Sequence, residues 1–285
     1  MDIKDWTRLI TLSLLWGGSF LFVEIALERL PPLSVVWARV SLGAVLLALM
    51  LYAGRVALPR GWAVWRALVV MGFLNNAVPF SLFAFAQGEI SGSLAAILNA
   101  TTPLFGVVVA HLAGAERMTR LRLAGLLSGF AGVVLMAGGG AGALPAMAAC
   151  LAAAFSYALA GVWGRRFRAM GVAPMQAAFG QVAAAAVIVT PLWLLVERPW
   201  MLDWPGGRVV AALIGIAALS TALAYAIYFR LLASAGAVRL LLVTFLIPVS
   251  AALLGALVLD ERLAPQHYAG FALIAAGLWA VARRV

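Results

Sequence analysis

Charge is what this sequence has least of: 11% of its 285 residues are Asp, Glu, Lys or Arg, against about a quarter in soluble globular chains. That shortage excludes a water-soluble domain. Cysteine occurs once, at Cys150, which excludes an internal disulfide; it falls in an apolar run and reads as an inert small residue. The only two histidines, His111 and His267, stand at the ends of apolar runs and read as interfacial residues. No HExxH, paired aspartates or Ser/His constellation falls inside an apolar run. The sequence therefore gives no metal site, no cofactor and no intramembrane enzyme.

What is abundant is hydrophobicity, 65% of residues, with a mean hydropathy of +1.07. A helix crosses the hydrocarbon core with about 20 apolar residues, and ten such runs can be placed. They lie near 8–27, 33–53, 64–86, 92–112, 121–138, 144–164, 173–196, 209–230, 236–258 and 266–282. The first follows MDIKDWTR with no small-residue cleavage site, so it is expected to be a retained span and not a signal peptide. The expected fold class is an all-α integral membrane protein of ten transmembrane helices, solvated by the lipid bilayer.

The formal charge of +10 would suggest nucleic acid for a soluble chain, but its distribution follows the alternation of loops. Fifteen Lys and Arg fall on one side, and four, Arg29, Arg198, Arg208 and Arg262, on the other. By the positive-inside rule both termini are expected to be cytoplasmic in a multi-pass inner-membrane protein, with no nucleic-acid partner.

Residues 85–132 recur at 230–277 without a gap: Pro103, Glu116, Arg117, Gly125 and Gly132 return as Pro248, Glu261, Arg262, Gly270 and Gly277, each 145 positions later. The expected halves are 1–140 and 141–285. Five spans per half is an odd number, so the second half enters the membrane inverted, and a small-molecule substrate site is expected between the halves near the midplane. Duplicated packing residues alone, in a non-transporting scaffold, would also give such a repeat. The repeated helix breakers argue for transport.

At the same offset Asn75, Asn76, Phe80 and Phe83 correspond to Ser220, Thr221, Tyr225 and Tyr228. Asn76, Phe80 and Phe83 step along one helical face, as do Thr221, Tyr225 and Tyr228, giving each helix a polar group above an aromatic pair. Polar groups in lipid need partners or a wet cavity, so these faces should point inward, as substrate contacts or as interhelical hydrogen bonds. Asn99 and Thr244 precede Pro103 and Pro248 by four residues, where each proline should interrupt its helix and free a carbonyl for binding or gating, or simply bend it. Thr101 and Thr102 can instead bond back to the helix. Trp16 in LLWGGSF is near mid-helix and suits a cavity. Trp163, near a helix end, suits a cavity or the interfacial belt equally. Glu24 and Arg39 are expected near the outer ends of the first two spans, paired with each other or reaching to headgroups. Glu116 and Glu261, beside Arg117 and Arg262, suit capping or loop ion pairs. On this reading no fixed charge stands at mid-span, which points to neutral or zwitterionic substrates, with ammonium groups held on aromatic faces as an alternative.

Two five-helix repeats, each with a proline-bearing fourth helix, AGAERMT at 113–119 or LDERLA at 259–264, and a Gly-rich last helix, resemble the EamA branch of the drug/metabolite transporter superfamily. LLWGGSF at 14–20 is similar to that branch's first helix, although Ala115 and Asp260 stand where the motif usually has Gly. The resemblance covers the whole chain, and within the branch it is nearest the YddG-type amino-acid exporters. It implies export of amino acids or similar small metabolites by alternating access, or of drug-like aromatic or cationic compounds. The spans expected to line the cavity are the first, third, fourth, sixth, eighth and ninth. The fifth and tenth should scaffold the fold or form a homo-oligomer face through Gly125, Gly129, Gly132, Gly270 and Gly277.

Overall fold

The computed structural model describes residues 2–112, 119–137, 143–240 and 242–282; the expected loop roles of Glu116 and Arg117 lie outside them. The described chain is helical, with no strand. Counting helices joined end to end as one, the segments are α1 (Ile3–Leu27), α2 (Pro32–Ala53), α3 (Trp62–Gln87), α4 (Gly92–Leu112) and α5 (Arg120–Ala137). They continue as α6 (Leu144–Ala169), α7 (Pro174–Glu197), α8 (Gly207–Gly236), α9 (Val243–Leu259) and α10 (Pro265–Ala282). Seven of these, α1 to α4 and α6 to α8, are long and apolar enough to cross a membrane, and α9 is a shorter apolar helix.

Sequence chemistry sets the ends. Asp2 caps α1 by accepting the Asp5 N–H at 2.8 Å. Pro32 opens α2, where an N–H is not needed, and the Glu197 carboxylate at the end of α7 accepts the Leu33 and Ser34 N–H groups at 2.7 and 2.6 Å. That ties α7 to α2. Glycine sets the closest approaches. A Cβ on Gly17 would lie 2.7 Å from the Ser250 Cβ, so α1 meets α9 nearly backbone to backbone, and Ser13 and Ser250 share a hydrogen bond of 3.0 Å there. Between α5 and α10, a Cβ on Gly132 would lie 2.5 Å from the Gly270 carbonyl oxygen, and Ser128 Oγ donates to the Leu273 carbonyl at 3.0 Å. The glycines of the fifth and tenth spans are thus used within one chain, as a scaffold.

Both α3 and α8 are interrupted by a π-helical turn, Phe73–Ala77 and Ala218–Leu223. Their starts are 145 apart (73 + 145 = 218), the sequence-repeat offset. A π turn leaves carbonyls without their usual partners and recurs at functional sites. Here side chains meet them: Ser156 Oγ donates to the Leu74 carbonyl at 2.7 Å and Thr221 Oγ1 to the Ile216 carbonyl at 2.9 Å.

The two prolines behave differently. In α4 the helix stops at Asn99 and restarts at Thr102, with Pro103 in the new first turn. Thr101 and Thr102 donate back to the Leu98 and Asn99 carbonyls, both at 2.7 Å. In the second half α9 runs unbroken through Pro248, so the expected interruption there is corrected. Pro248 lies in the second turn of α9, where it removes one backbone donor without ending the helix.

Two large apolar clusters result, with two smaller ones beside them. One gathers residues of α1, α4, α6 and α9, such as Leu12, Leu98, Cys150 and Ile247; the other gathers α2, α3, α7 and α8, such as Val36, Phe80, Val182 and Ile216. Tyr157 of α6 packs against both.

Candidate functional site

Asn75 and Asn76 of the first π turn meet Gln181 of α7 and Tyr225 of α8 in the interior. Asn75 Nδ2 donates to Gln181 Oε1 at 2.9 Å and to the Tyr225 hydroxyl at 3.3 Å, and Asn76 Nδ2 donates to the same hydroxyl at 3.3 Å. A buried amide–phenol network of this kind is satisfied only if every member finds a partner. This one is not complete. Asn76 Oδ1 and Ser220 Oγ have no partner, although their residues are 0% and 1% exposed, and each such group costs about 1–3 kcal/mol.

Arg39 of α2 enters the same cluster. Its Nε donates to Thr221 Oγ1 at 3.3 Å, and its guanidinium carbon stands 3.6 Å from the centre of the Phe80 ring. The residue is 9% exposed, and among the described residues no carboxylate lies within ion-pair distance of it. Cation–π contact offsets part of the cost of burying the charge, but a buried guanidinium without an anion is far from balanced. This overturns two expectations. Arg39 does not pair with Glu24, which lies instead at the start of α4, and the protein does hold a fixed charge inside a span. Distance from the helix end made Arg39 look interfacial; the π turns that draw polar side chains toward it leave no mark in composition.

Aromatic rings surround this group. Trp16 tilts against Tyr228 with centroids 5.6 Å apart, and Phe229 bridges Tyr228 at 5.0 Å and Tyr225 at 6.2 Å. Phe83 stands 5.6 Å from Phe20 and 6.2 Å from Tyr157. Phe80 and Phe83 therefore do not act as one pair. Phe80 packs under Arg39 in the second apolar cluster while Phe83 belongs to the first, because a step of three residues falls short of a full helical turn.

Of the residues expected at a site, Trp16, Asn76, Phe80, Thr221, Tyr225 and Tyr228 gather around this centre, and Phe83 borders it through Tyr157. Three lie elsewhere. Asn99 closes the first half of α4, its Oδ1 3.3 Å from Thr102 Oγ1. Thr244 is half-buried in the first turn of α9. Trp163 donates to the Ala67 carbonyl at 3.0 Å, lies beneath the Arg166 guanidinium, and lines an open apolar groove with Leu74, Val109, Phe155 and Leu159. Arg39, Tyr157 and Gln181 are the residues that sequence reasoning missed. Their counterparts at the repeat offset are Ala184, Leu12 and Val36, so a search for matched positions passes over them.

A family model for EamA-like transporters matches residues 8–138 and again 144–283. The "Uncharacterized transporter YoaV" of Bacillus subtilis is 23% identical over 97% of this chain and 96% of its own length. A "Probable amino-acid metabolite efflux pump" of Escherichia coli is 25% identical over 98% of this chain and 95% of its own. A protein of known crystal structure shares the fold, with a TM-score of 0.71 and 22% identity over 99% of this chain and 98% of that one.

Proposed function

The chain belongs to the EamA-like transporter family, and from that membership we propose that it exports amino acids or similar carboxylate-bearing metabolites by alternating access. The observation that carries this reading is Arg39: buried, without a counter-ion among the described residues, bonded to Thr221 and stacked on the Phe80 ring. A carboxylate would supply the missing anion through charge-assisted hydrogen bonds. Asn76 Oδ1 and Ser220 Oγ would serve an ammonium or hydroxyl group, and Phe80, Tyr225, Tyr228 and Trp16 an apolar side chain. The efflux-pump relative's name favours the same substrate class. Export of lipophilic cations, which aromatic faces alone would permit, is disfavoured by the charge of Arg39. No step here calls for an enzyme or a cofactor.

The architecture proposed is ten membrane helices in two inverted repeats, 1–140 and 141–285, with both termini cytoplasmic. Two matches of one family model and the π turns at the 145-residue offset support the repeat. Alternation of crossings assigns Asp5, Arg8 and Ser234 to one side and Glu24, Gly92 and Glu261 to the other. Arg8 bonds Asp5 at 3.2 Å and Ser234 Oγ donates to Asp5 at 2.7 Å, while Glu24 and Glu261 meet at the start of α4. Each set clusters with its own kind, as the alternation requires.

Liposomes containing only this protein should move radiolabelled phenylalanine and not phenethylamine, which lacks the carboxylate. Equal transport of both would remove the role given to Arg39.

A further inference from the structure

Away from the Arg39 centre, the first turn of α4 holds two carboxylates from opposite halves of the chain. The Gly92 N–H donates to Glu24 Oε2 at 2.7 Å and the Ser93 N–H to Glu261 Oε2 at 3.2 Å. The two carboxyl groups thus sit on adjacent N–H groups of one helical turn. A helix N-terminus attracts anions, but two negative charges in one place repel, and a proton on either oxygen turns that repulsion into a hydrogen bond.

A second feature converges on the same spot. Ser93 is 1% exposed and its hydroxyl has no partner. A Cβ on Gly255 would lie 2.8 Å from Ser93 Oγ and 2.7 Å from Glu261 Oε2, so both atoms face one point. A Cβ on Gly92 would meet Glu24 Oε2 at 2.7 Å and Gln87 Nε2 at 3.0 Å. Glycine at both positions leaves the room that the carboxylates occupy. Both glutamates are half-buried, open enough for protons to reach them.

The remaining charges nearby do not neutralise the pair. Glu28, one turn along α1, adds a further negative field and is itself paired with Arg208 at 3.2 Å. Glu89 before α4, and Asp260 and Arg262 beside Glu261, are exposed. His267 of α10 accepts the Ala264 N–H at 3.3 Å. Among the described residues, no cation lies within ion-pair distance of either glutamate.

We propose that Glu24 and Glu261 form a proton-binding site that couples export to proton influx, the bound proton latching α1 and α4 to the connection between α9 and α10. The pair joins the two halves where they separate if α1 moves on α9. With the proton bound the seam closes; with both carboxylates charged it is pushed apart. In export, a proton taken up on that side closes it and is released on the other after the chain reorients. This coupling rests on the transport reading above.

Infrared spectra of the protein in liposomes, titrated between about pH 5 and 9, test the site directly. The wild type should show the carbonyl band of a protonated carboxylic acid that fades as pH rises. Glu24→Gln and Glu261→Gln, which keep an acceptor for the helix N–H groups, should each remove it. With an acid lumen, wild-type liposomes should accumulate phenylalanine by about tenfold per unit of pH gradient for one proton exchanged. Both variants should move it only down its own gradient. A band unchanged in both variants, a band that follows sodium at constant pH, or gradient-driven accumulation intact in both would overturn the proposal. If phenylalanine does not move in the wild type, the transport reading fails, while the infrared band still decides the proton site.

Discussion

In α3 and α8 the two copies of the repeat agree in backbone and differ in chemistry. α3 and α8 carry π turns at the same repeat position, yet the first presents two amides, Asn75 and Asn76, and the second two hydroxyls, Ser220 and Thr221. Arg39, which donates to Thr221, stands opposite Ala184 in the other copy. α4 and α9 differ in backbone as well: one is cut before Pro103, the other is continuous through Pro248. Symmetry therefore explains the scaffold, and departures from symmetry explain the site. A substrate with a carboxylate at one end and an apolar group at the other has no two-fold symmetry, and a symmetric cavity would hold it poorly.

The largest expected effect falls on the least symmetric residue. Arg39→Gln should lower kcat/KM for phenylalanine by about 10- to 100-fold, the loss of a charged hydrogen-bonding partner. Arg39→Lys should recover only part, because an ammonium cannot reproduce the guanidinium's contacts with Phe80 and a carboxylate. Radiolabel transport with purified variants checks both. Next come the symmetric glycines. Gly277 lies against the Gly125 carbonyl and 2.9 Å separates its ideal Cβ from the Gly129 nitrogen, so Gly277→Leu should destabilise the fold by about 1–3 kcal/mol. Thermal unfolding in detergent should register that loss, with substrate preference unchanged in the folded fraction.

Much of the scaffold was legible because hydrophobic runs bounded by Gly, Pro and charge fix helix ends. The expected spans 33–53, 92–112 and 144–164 fall within a residue of α2, α4 and the first part of α6. The repeat also disclosed Asn76, Phe80, Thr221, Tyr225 and Tyr228, since positions polar or aromatic in both copies stand out in an apolar chain. The π turns were not legible: they need one extra residue per turn and no special composition. Arg39 was visible but placed by its distance along the helix, whereas its burial is a tertiary outcome of α2 packing on α7 and α8. Glu24 and Glu261 were each visible alone. Only folding shows that one helix start holds both.

Thr221→Val separates the amide side of the centre from the hydroxyl side. It removes the acceptor of Arg39 Nε and the donor to the Ile216 carbonyl, and should weaken apparent affinity for phenylalanine by about five- to tenfold, one hydrogen bond's worth. The prolines give the smallest effect and the sharpest contrast. Pro248→Ala should restore an internal hydrogen bond in α9 and slow turnover by roughly threefold with KM unchanged, as stiffening a moving element does. Pro103→Ala should leave turnover near wild type, because Pro103 already sits in a first turn where its N–H is not needed. Equal slowing by both would return the two copies to equivalence.

On the proposed reading, a buried Arg39 with no carboxylate partner among the described residues receives the substrate's carboxylate. Equilibrium binding of radiolabelled phenylalanine to the purified protein, competed by 3-phenylpropionate or by phenethylamine, tests it most directly. Phenylpropionate, which keeps the carboxylate and lacks the amine, should displace the label from the wild type, and phenethylamine should not; Arg39→Gln should abolish the difference. Displacement by phenethylamine alone, or binding unaltered in Arg39→Gln, would contradict the account.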